Sequence, residues 1–206
     1  PTVVDVRYGA PIVAVDPHAG STDLPTIDSD NLRGAQRAVE HLLSLGHRRI
    51  GMLTGRSDLQ SARLREEGYR QALAAAGVPV DEDLVLAGDY DPDVSSTSAL
   101  RLLKSEHRPT AIFAANDISA IATVSAAASL GISVPADLSV VGFDNVPESA
   151  LNSPPLTTIH QPIREMGQSA IRLLIRLING ETPESAHLTL ATSLVVRQST
   201  TIPCAI

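Results

Sequence analysis

The sequence predicts an α/β fold built around a parallel β-sheet. Short apolar runs recur along the chain, and each is followed by a polar or glycine-bearing loop and then by a segment of helical periodicity. The runs are rich in Val, Ile and Ala without polar alternation, a pattern typical of strands that helices cover on both faces. The five runs are PIVAVD from residue 11, RIGMLTG from 49, LVLAG from 84, TAIFAAND from 110 and LSVVGFDN from 138.

The first two predicted helices carry recognisable start and stop signals. The candidates for the N-cap of the first helix are Ser29, Asp30 and Asn31. This helix ends at Gly46, which stands where a left-handed residue is needed. A second helix is predicted over residues 62–76, and Gly77 is its stop.

The later helices are marked in the same way. Asn116 or Asp117 caps a third helix, which ends at Gly131. Pro162 suits the first turn of a fourth helix, and Gly180 closes it. The apolar stripe of this fourth helix comprises Ile163, Met166, Ala170, Ile171, Leu174 and Ile178.

Composition and charge narrow the possible classes of protein. The chain has 206 residues, of which 43% are hydrophobic, enough to form a buried core. Its 16 basic and 23 acidic residues give a formal charge of −7. A patch that neutralises many phosphates is hard to build from this balance, so we expect that this segment does not hold DNA by itself. No stretch approaches the roughly 20 apolar residues of a membrane helix, and we predict no membrane association.

The ends of the chain say little about function. The single cysteine, Cys204, excludes an internal disulfide framework and fits a reducing cytoplasm. The first residues lack the layout of a secretory signal, and since the chain does not begin with Met we expect an upstream region. Residues 1–10 receive no assignment.

Motifs for catalysis and metal binding do not occur. The sequence has no G-x-S-x-G, G-x-x-x-x-G-K-[ST], G-x-G-x-x-G or H-E-x-x-H pattern, and its six histidines have no metal-ligand spacing. We therefore predict neither an enzyme nor a bound cofactor or metal. A Ser, His and Asp triad dispersed along the chain stays open at this point, because such triads have no fixed spacing.

Polar residues follow the predicted strands. In an open parallel sheet, ligands bind beyond the carboxyl ends of the strands, where loops and helix amino termini gather. The residues at these ends are Asp16, Gly55, Arg56, Asp89, Tyr90, Asn116, Asp117, Asp144 and Asn145. Helix capping explains one residue in each loop, but it leaves a second acid or amide in two of them. These extra groups suit sugar hydroxyls or the edge of a nucleobase.

Two arginines lie near the start of the second helix. Arg63 and Arg65 are two positions apart, so they cannot face the same way, and one of them can reach a ligand. The alternative is a solvated helix face on which Arg65 pairs with Glu66 or Glu67.

Taken in order, these stretches resemble the effector-binding region of the lactose/galactose repressor family of bacterial transcription regulators. The resemblance runs from about residue 11 to the end of the chain. Compared with the family, the sequence lacks the DNA-binding headpiece and the first part of the amino-terminal lobe. The stretches that carry it are PIVAVD, DNLRGAQRAVEHLLSLGHRRIGMLTG, SARLREEGYRQALAAAG, RPTAIFAANDISA, GISVPADLSVVGFDN, PPLTTIHQPIREMGQSAI and LVVRQSTTIP.

The resemblance implies a periplasmic-binding-protein-like fold with two doubly wound parallel-sheet lobes joined by crossover connections. It assigns residues 28–160 and 188–206 to the carboxy-terminal lobe. Residues 1–27 and 161–187 belong to what remains of the amino-terminal lobe, which is incomplete in this sequence. The effector contacts that it implies are Asp16, Arg65, Tyr90, Asn116, Asp144 and Gln161. Of these, only Gln161 was not already selected from the strand ends or the arginines.

The function implied is that of a cytoplasmic effector-sensing domain of a transcription regulator, acting as a repressor. A small polar ligand, with sugars as the commonest class, would bind between the lobes and change the affinity for operator DNA. The expected partners are this ligand, a second copy of the chain in a homodimer, and operator DNA held by a headpiece that is absent from the sequence. The alternative is a secreted periplasmic-type sugar-binding protein for transport. The identity of the effector, and whether it induces or corepresses, stays open.

Overall fold

Two β-sheets organise the chain. The computed structural model describes residues 10–18, 24–181, 185 and 187–203; Cys204 and residues 1–9 lie outside this part. The strands are β1 Ala14–Val15, β2 Thr26–Ser29, β3 Ile50–Thr54, β4 Val85–Ala87, β5 Ala111–Ala114, β6 Ser139–Asp144, β7 Thr157–His160, β8 His187–Leu190 and β9 Ser193–Val195. The helices are α1 Asn31–Ser44, α2 Gln60–Ala75, α3 Pro92–Leu103, α4 Asp117–Ser129, α5 Pro147–Leu151 and α6 Ile163–Ile178.

The larger sheet has six strands in the order β4-β3-β5-β6-β7-β9, and only β9 runs antiparallel to its neighbour. Helices cover both of its faces. Met52, Phe113 and Val141 face α1 and α2, whereas Ile112 and Val140 face α3 and α4. Since every second strand residue meets the opposite helical layer, the strands are apolar without alternation, as predicted.

The predicted helix boundaries are confirmed at most positions. The side chain of Asp30 accepts a hydrogen bond from the Arg33 amide and caps α1, and Asn116 caps α4 in the same way through Ser119. The four predicted stop glycines have left-handed backbone, with φ values of 101, 67, 71 and 76° for Gly46, Gly77, Gly131 and Gly180. Only glycine adopts this conformation without steric cost.

Several elements were not predicted. The strands β2, β7, β8 and β9 and the helices α3 and α5 contain enough Thr, Ser, His or Asp to look like loops. In β7, Thr157 and Thr158 are nevertheless fully buried, because their hydroxyl groups bond to Thr200 and to Asp117. The first apolar run forms a strand only over Ala14–Val15, shorter than the sequence suggested.

The smaller sheet has the parallel order β1-β2-β8, with α6 packed on it. It includes residues 28–29 and extends to Leu190, past the lobe boundaries expected at 27 and 187, because β2 and β8 pair along their whole length. The division of the chain into two lobes at 27, 160 and 187 remains a prediction. On α6, only Met166 of the apolar stripe is buried by the described residues, and Ile163, Ile171 and Ile178 are 57 to 63% exposed.

Three segments of the described chain connect the two sheets, and they lie side by side. They join β2 to α1, β7 to α6, and β8 to β9. The amide of Asp30 donates to the carbonyl of Leu190 at 2.9 Å, which ties the first segment to the third. The hydroxyl of Ser29 donates to Oε1 of Gln161 at 2.5 Å, which ties the first to the second. The three connections therefore form one hydrogen-bonded hinge.

No helix among the residues that the structure describes is both long and apolar enough to span a bilayer.

The contact between α1 and α2 depends on a glycine. A Cβ at Gly68 would lie 2.4 Å from the carbonyl oxygen of Leu32 and 2.8 Å from Cβ of Ala35, whereas one at Gly167, on α6, would meet no atom within 4 Å. We expect Gly68→Ala to lower the free energy of unfolding by about 1–3 kcal/mol through overpacking. Gly167→Ala should raise it by about 0.5–1 kcal/mol, because alanine is the better helix former. Urea denaturation measures both, and equal stabilisation by the two substitutions would contradict the packing argument.

Candidate functional site

Strained turns mark the carboxyl ends of the strands. Among the described residues other than glycine, five have positive φ, and each of them ends a strand or lies within three residues after one. They are Asp16 (46°), Asp89 (53°), Tyr90 (60°), Asp144 (108°) and Asn145 (61°). Such conformations persist only where surrounding contacts enforce them, and they concentrate at functional sites.

Arg65 is the centre of the site. Arg65 lies on α2, and the residue is only 3% exposed. Nε donates to Oδ1 of Asn31 at 2.9 Å, and Nη1 donates to Oδ1 of Asp144 at 3.1 Å and to the carbonyl of Ala115. The guanidinium also stacks over the ring of Phe143, with 3.8 Å between Cζ and the ring centroid. The alternative of a solvated Arg65 paired with Glu66 or Glu67 is therefore wrong, and Arg63 is the exposed member of the two arginines.

Asp144 and Gln161 extend this network to the smaller sheet. Oδ1 of Asp144 accepts hydrogen bonds from Arg65 and, at 2.6 Å, from Nε2 of Gln161. The other end of the Gln161 amide accepts from Ser29, at the end of β2. Burial raises the pKa of Asp144, while the charge of Arg65 and the hydrogen bond from Gln161 oppose this rise. These hydrogen-bonded side chains connect the larger sheet, through the hinge, to the smaller sheet.

In each of the pairs Asn116–Asp117 and Asp144–Asn145, the two side chains make different contacts. Asn116 uses its Oδ1 to cap α4, which leaves its amide Nδ2 as the group that a ligand can meet. Asp117 does not point into the cleft as expected for the second member of the pair, because it is fully buried beneath the next loop. Asn145 serves its own loop, accepting from Arg197 at 2.6 Å and contacting His160 at 3.1 Å. Asp144 is the member of its pair that meets the network.

Asp16 and Tyr90 lie near the guanidinium of Arg65. Partial desolvation raises the pKa of Asp16 and the charge of Arg65 lowers it, although Asp16 keeps exposed surface. Burial raises the pKa of Tyr90, again opposed by Arg65, which lies 5.7 Å from its ring centroid. The Tyr90 ring covers Gly55, where a Cβ would come within 2.2 Å of Cζ, so the glycine makes room for the ring. The Tyr90 hydroxyl is buried without a well-formed hydrogen bond to the described residues.

A cavity of about 360 Å³ opens beside this network. It lies between the end of the smaller sheet and the starts of α1 and α2. Asp16, Ser29, Asn31 and Ser61 contribute to its lining, together with Asp28. Of the six predicted contacts only Asp16 lines this cavity, but Ser29 and Asn31 connect it directly to Gln161 and Arg65.

The structure thus brings five of the six predicted residues together around Arg65, and the sixth, Asn116, directly follows Ala115, whose carbonyl accepts from Arg65. Arg56, Asp89 and Asn145 do not join them: Arg56 pairs with Asp58 on the surface, and Asp89 is exposed. Sequence reasoning missed Ser29, Asn31, Ser61 and Phe143 as parts of the site. Ser29 and Asn31 were noticed only as helix caps, and no sequence signal places the ring of Phe143 under a guanidinium.

The fold and this site define a periplasmic-binding-protein-like domain, in which polar side chains from two parallel sheets meet at a hinge. The family model of the periplasmic binding protein-like domain matches residues 39–200. The curated relative HTH-type transcriptional repressor CytR of Escherichia coli strain K12 is 37% identical over 97% of this chain and 58% of its own length. The chain therefore spans little more than half of that relative.

Solved structures agree with this class. The complex of the transcriptional regulator CelR with cellobiose has a TM-score of 0.85 and 37% identity, over 91% of this chain and 58% of that one. A LacI family regulator from Enterococcus faecium with bound ribose has a TM-score of 0.86 and 30% identity, over 93% and 71% of the two chains. The chain belongs to the LacI family of transcriptional regulators, and the resemblance seen in the sequence is confirmed.

The ion pair of Arg65 and Asp144 should be far more costly to break than a surface pair. We expect Arg65→Met to lower the free energy of unfolding by about 3–5 kcal/mol, because it leaves a partly buried carboxylate without its cation. Arg33→Met, which breaks an exposed pair with Glu40, should cost less than about 1 kcal/mol. Urea denaturation at one pH compares them. Carboxyl NMR of Asp144 should show its pKa rising in Arg65→Met, and an unchanged pKa would refute the pairing.

Proposed function

We propose that this chain is the effector-sensing region of a bacterial transcription regulator that acts as a repressor and is not an enzyme. A small polar ligand, most consistent with a sugar, binds between the two sheets and changes the affinity of the whole protein for operator DNA. The observation that carries this proposal is the hydrogen-bonded path from Arg65 through Asp144 and Gln161 to Ser29, which joins the sheets at their carboxyl ends.

The chemistry of the six residues suits a polyhydroxylated ligand. Arg65 presents a planar fork to two oxygens, and Asp16 and Asp144 accept protons from hydroxyl groups. Asn116 donates through Nδ2, and Gln161 both donates and accepts. Tyr90 offers an aromatic face against the apolar side of a sugar ring. Arg65, Asp144 and Gln161 bond to one another, and a ligand hydroxyl would replace some of these partners with its own.

Regulation follows from where the groups are attached. Asp16 belongs to the smaller sheet and Arg65 to a helix on the larger one, so a ligand that contacts both favours one angle between the sheets. The angle can change at the three adjacent connections, which hold few buried apolar side chains. A coupling free energy of about 1–3 kcal/mol between ligand and operator binding is enough for regulation.

The partners are a second copy of the chain and, through a DNA-binding headpiece, operator DNA in the cytoplasm. The charge of −7 argues against direct DNA binding by this segment. Ile118 on α4 and Leu151 on α5 are 47% and 84% exposed, and apolar side chains of this kind are available for contact with a second copy. The relatives named above are transcription regulators, one of which was solved with cellobiose and another with ribose.

The ligand proposal is tested by calorimetry of the full-length protein with ribose and cellobiose. We expect Asp144→Asn to weaken the affinity of the sugar that binds by about 10- to 100-fold, because a hydrogen bond to a charged group contributes about 1.5–3 kcal/mol. Asp83→Asn, an exposed carboxylate away from the cleft, should bind as the parent does.

The regulatory proposal needs a separate measurement. Fluorescence anisotropy of the full-length protein with its operator should give a 5- to 150-fold change in affinity, on the order of that coupling, when the bound sugar is added. A sugar that binds tightly but leaves operator affinity unchanged would rule out the regulatory role and leave a simple binding protein.

A further inference from the structure

Asp117 has no part in the six-residue site, yet its environment is unusual. It is the first residue of α4, where Asn116 already provides the cap, so helix capping does not explain its carboxylate. The residue is 0% exposed. In the part of the chain that the structure describes, it forms no ion pair, and its partners are neutral hydrogen-bond donors. A buried carboxylate without a cation is costly, and such a group is retained where its acceptor oxygens are needed.

Both carboxylate oxygens of Asp117 accept hydrogen bonds. Oδ1 accepts from the hydroxyl of Thr158 in β7 at 2.6 Å, and Oδ2 accepts from the backbone amide of Val146 at 2.9 Å. The backbone of Asn145 also favours the charged form and lowers the pKa of Asp117. Burial raises the pKa of Asp117 to about 6, and these hydrogen bonds oppose the rise. The carboxylate thus bridges β7 to the loop that follows β6.

The loop that Asp117 holds is the one that presents Asp144. Asp144 and Asn145 have φ values of 108 and 61°, which non-glycine residues avoid unless other contacts enforce them. The Val146 amide comes directly after this pair. The hydrogen bond to Asp117 holds the Val146 amide in place. Because this amide ends the strained turn, the same hydrogen bond restricts the direction of the Asp144 side chain.

The strand beneath the turn is shaped for this carboxylate. Gly142 lies in β6, and a Cβ there would come within 2.2 Å of Oδ1 of Asp117. The absence of a side chain at this position lets the carboxylate lie against the strand and reach the loop beyond it. Gly142 has an ordinary strand conformation, so close approach and not backbone freedom explains the glycine.

We propose that Asp117 is a positioning residue for ligand binding: its carboxylate holds the turn of Asp144 and Asn145 in the left-handed conformation that aims Asp144 at the cleft. Asp117 itself does not touch the ligand. The effect on affinity rests on the function proposed above, whereas the hold on the turn does not.

The test compares a substitution of the carboxylate with a substitution of one of its donors, both in the full-length protein. Asp117→Ala removes both acceptor oxygens, so the Val146 amide and the Thr158 hydroxyl both lose this partner. Thr158→Val removes the donor to Oδ1 and leaves the bond to Val146 intact. Hydrogen exchange and the ¹H chemical shift of the Val146 amide report on the turn without any ligand, and exchange of buried amides in β5 reports on global stability.

We expect exchange at Val146 to become at least about tenfold faster in Asp117→Ala than global destabilisation explains, with an upfield shift of its amide proton. Thr158→Val should destabilise the fold without this local effect. Gly142→Ala supplies an independent variant that retains the carboxylate but displaces it, and it should reproduce the loosened turn. Local exchange at Val146 that is unchanged in Asp117→Ala and Gly142→Ala, or equally altered in Thr158→Val, would overturn the inference.

Calorimetry with ribose and cellobiose separates this inference from the proposed function. If one of them binds the parent, Asp117→Ala should weaken the affinity at least about tenfold while Thr158→Val changes it less than about threefold. An unchanged affinity in Asp117→Ala would overturn the positioning role. If neither sugar binds the parent, that result counts against a sugar effector, and the amide measurements alone then decide whether Asp117 holds the turn.

Discussion

A guanidinium buried between two sheets constrains the rest of this structure. Removing Arg65 from water is tolerable only if its donors and its charge find partners in the interior. Asn31, Asp144 and the Ala115 carbonyl meet that requirement, and the ring of Phe143 supports one face. Each partner comes from a different element, so the starts of α1 and α2 and the ends of β5 and β6 must lie at one point.

The same requirement produces the properties of a binding site. Groups held in fixed directions within a partly dry cleft lose little freedom when a ligand arrives, and their hydrogen bonds are stronger than in water. Asp144 accepts from both Arg65 and Gln161, so in the proposed function a ligand hydroxyl at Asp144 would be coupled to the hinge through Ser29. The turn of Asp144 and Asn145 is contacted from below by the carboxylate of Asp117 and from outside by Arg197.

Much of the site could be predicted from the sequence, because the carboxyl ends of parallel strands lie at the same edge of a sheet. Once the apolar runs are strands of one sheet, Tyr90, Asn116 and Asp144 must lie along the same edge. Asp16 follows a strand of the smaller sheet, and its approach to these residues depends on how the two sheets are joined. Arg65 was less certain, since helical spacing alone shows only that Arg63 and Arg65 face differently. Gln161 came from the family resemblance, because it lies in a connection that has no periodic pattern.

The sequence alone was enough to predict the apolar strands, the capped helices and the four glycines that end helices. Each of these features depends on residues only a few positions away. Only the tertiary structure decided that Arg65 is buried and that Asp117 turns away from the cleft. These outcomes depend on contacts across 79 residues to Asp144 and 41 residues to Thr158. The difference is physical: a charge is buried or solvated according to what surrounds it in three dimensions, and its surroundings come from distant parts of the chain.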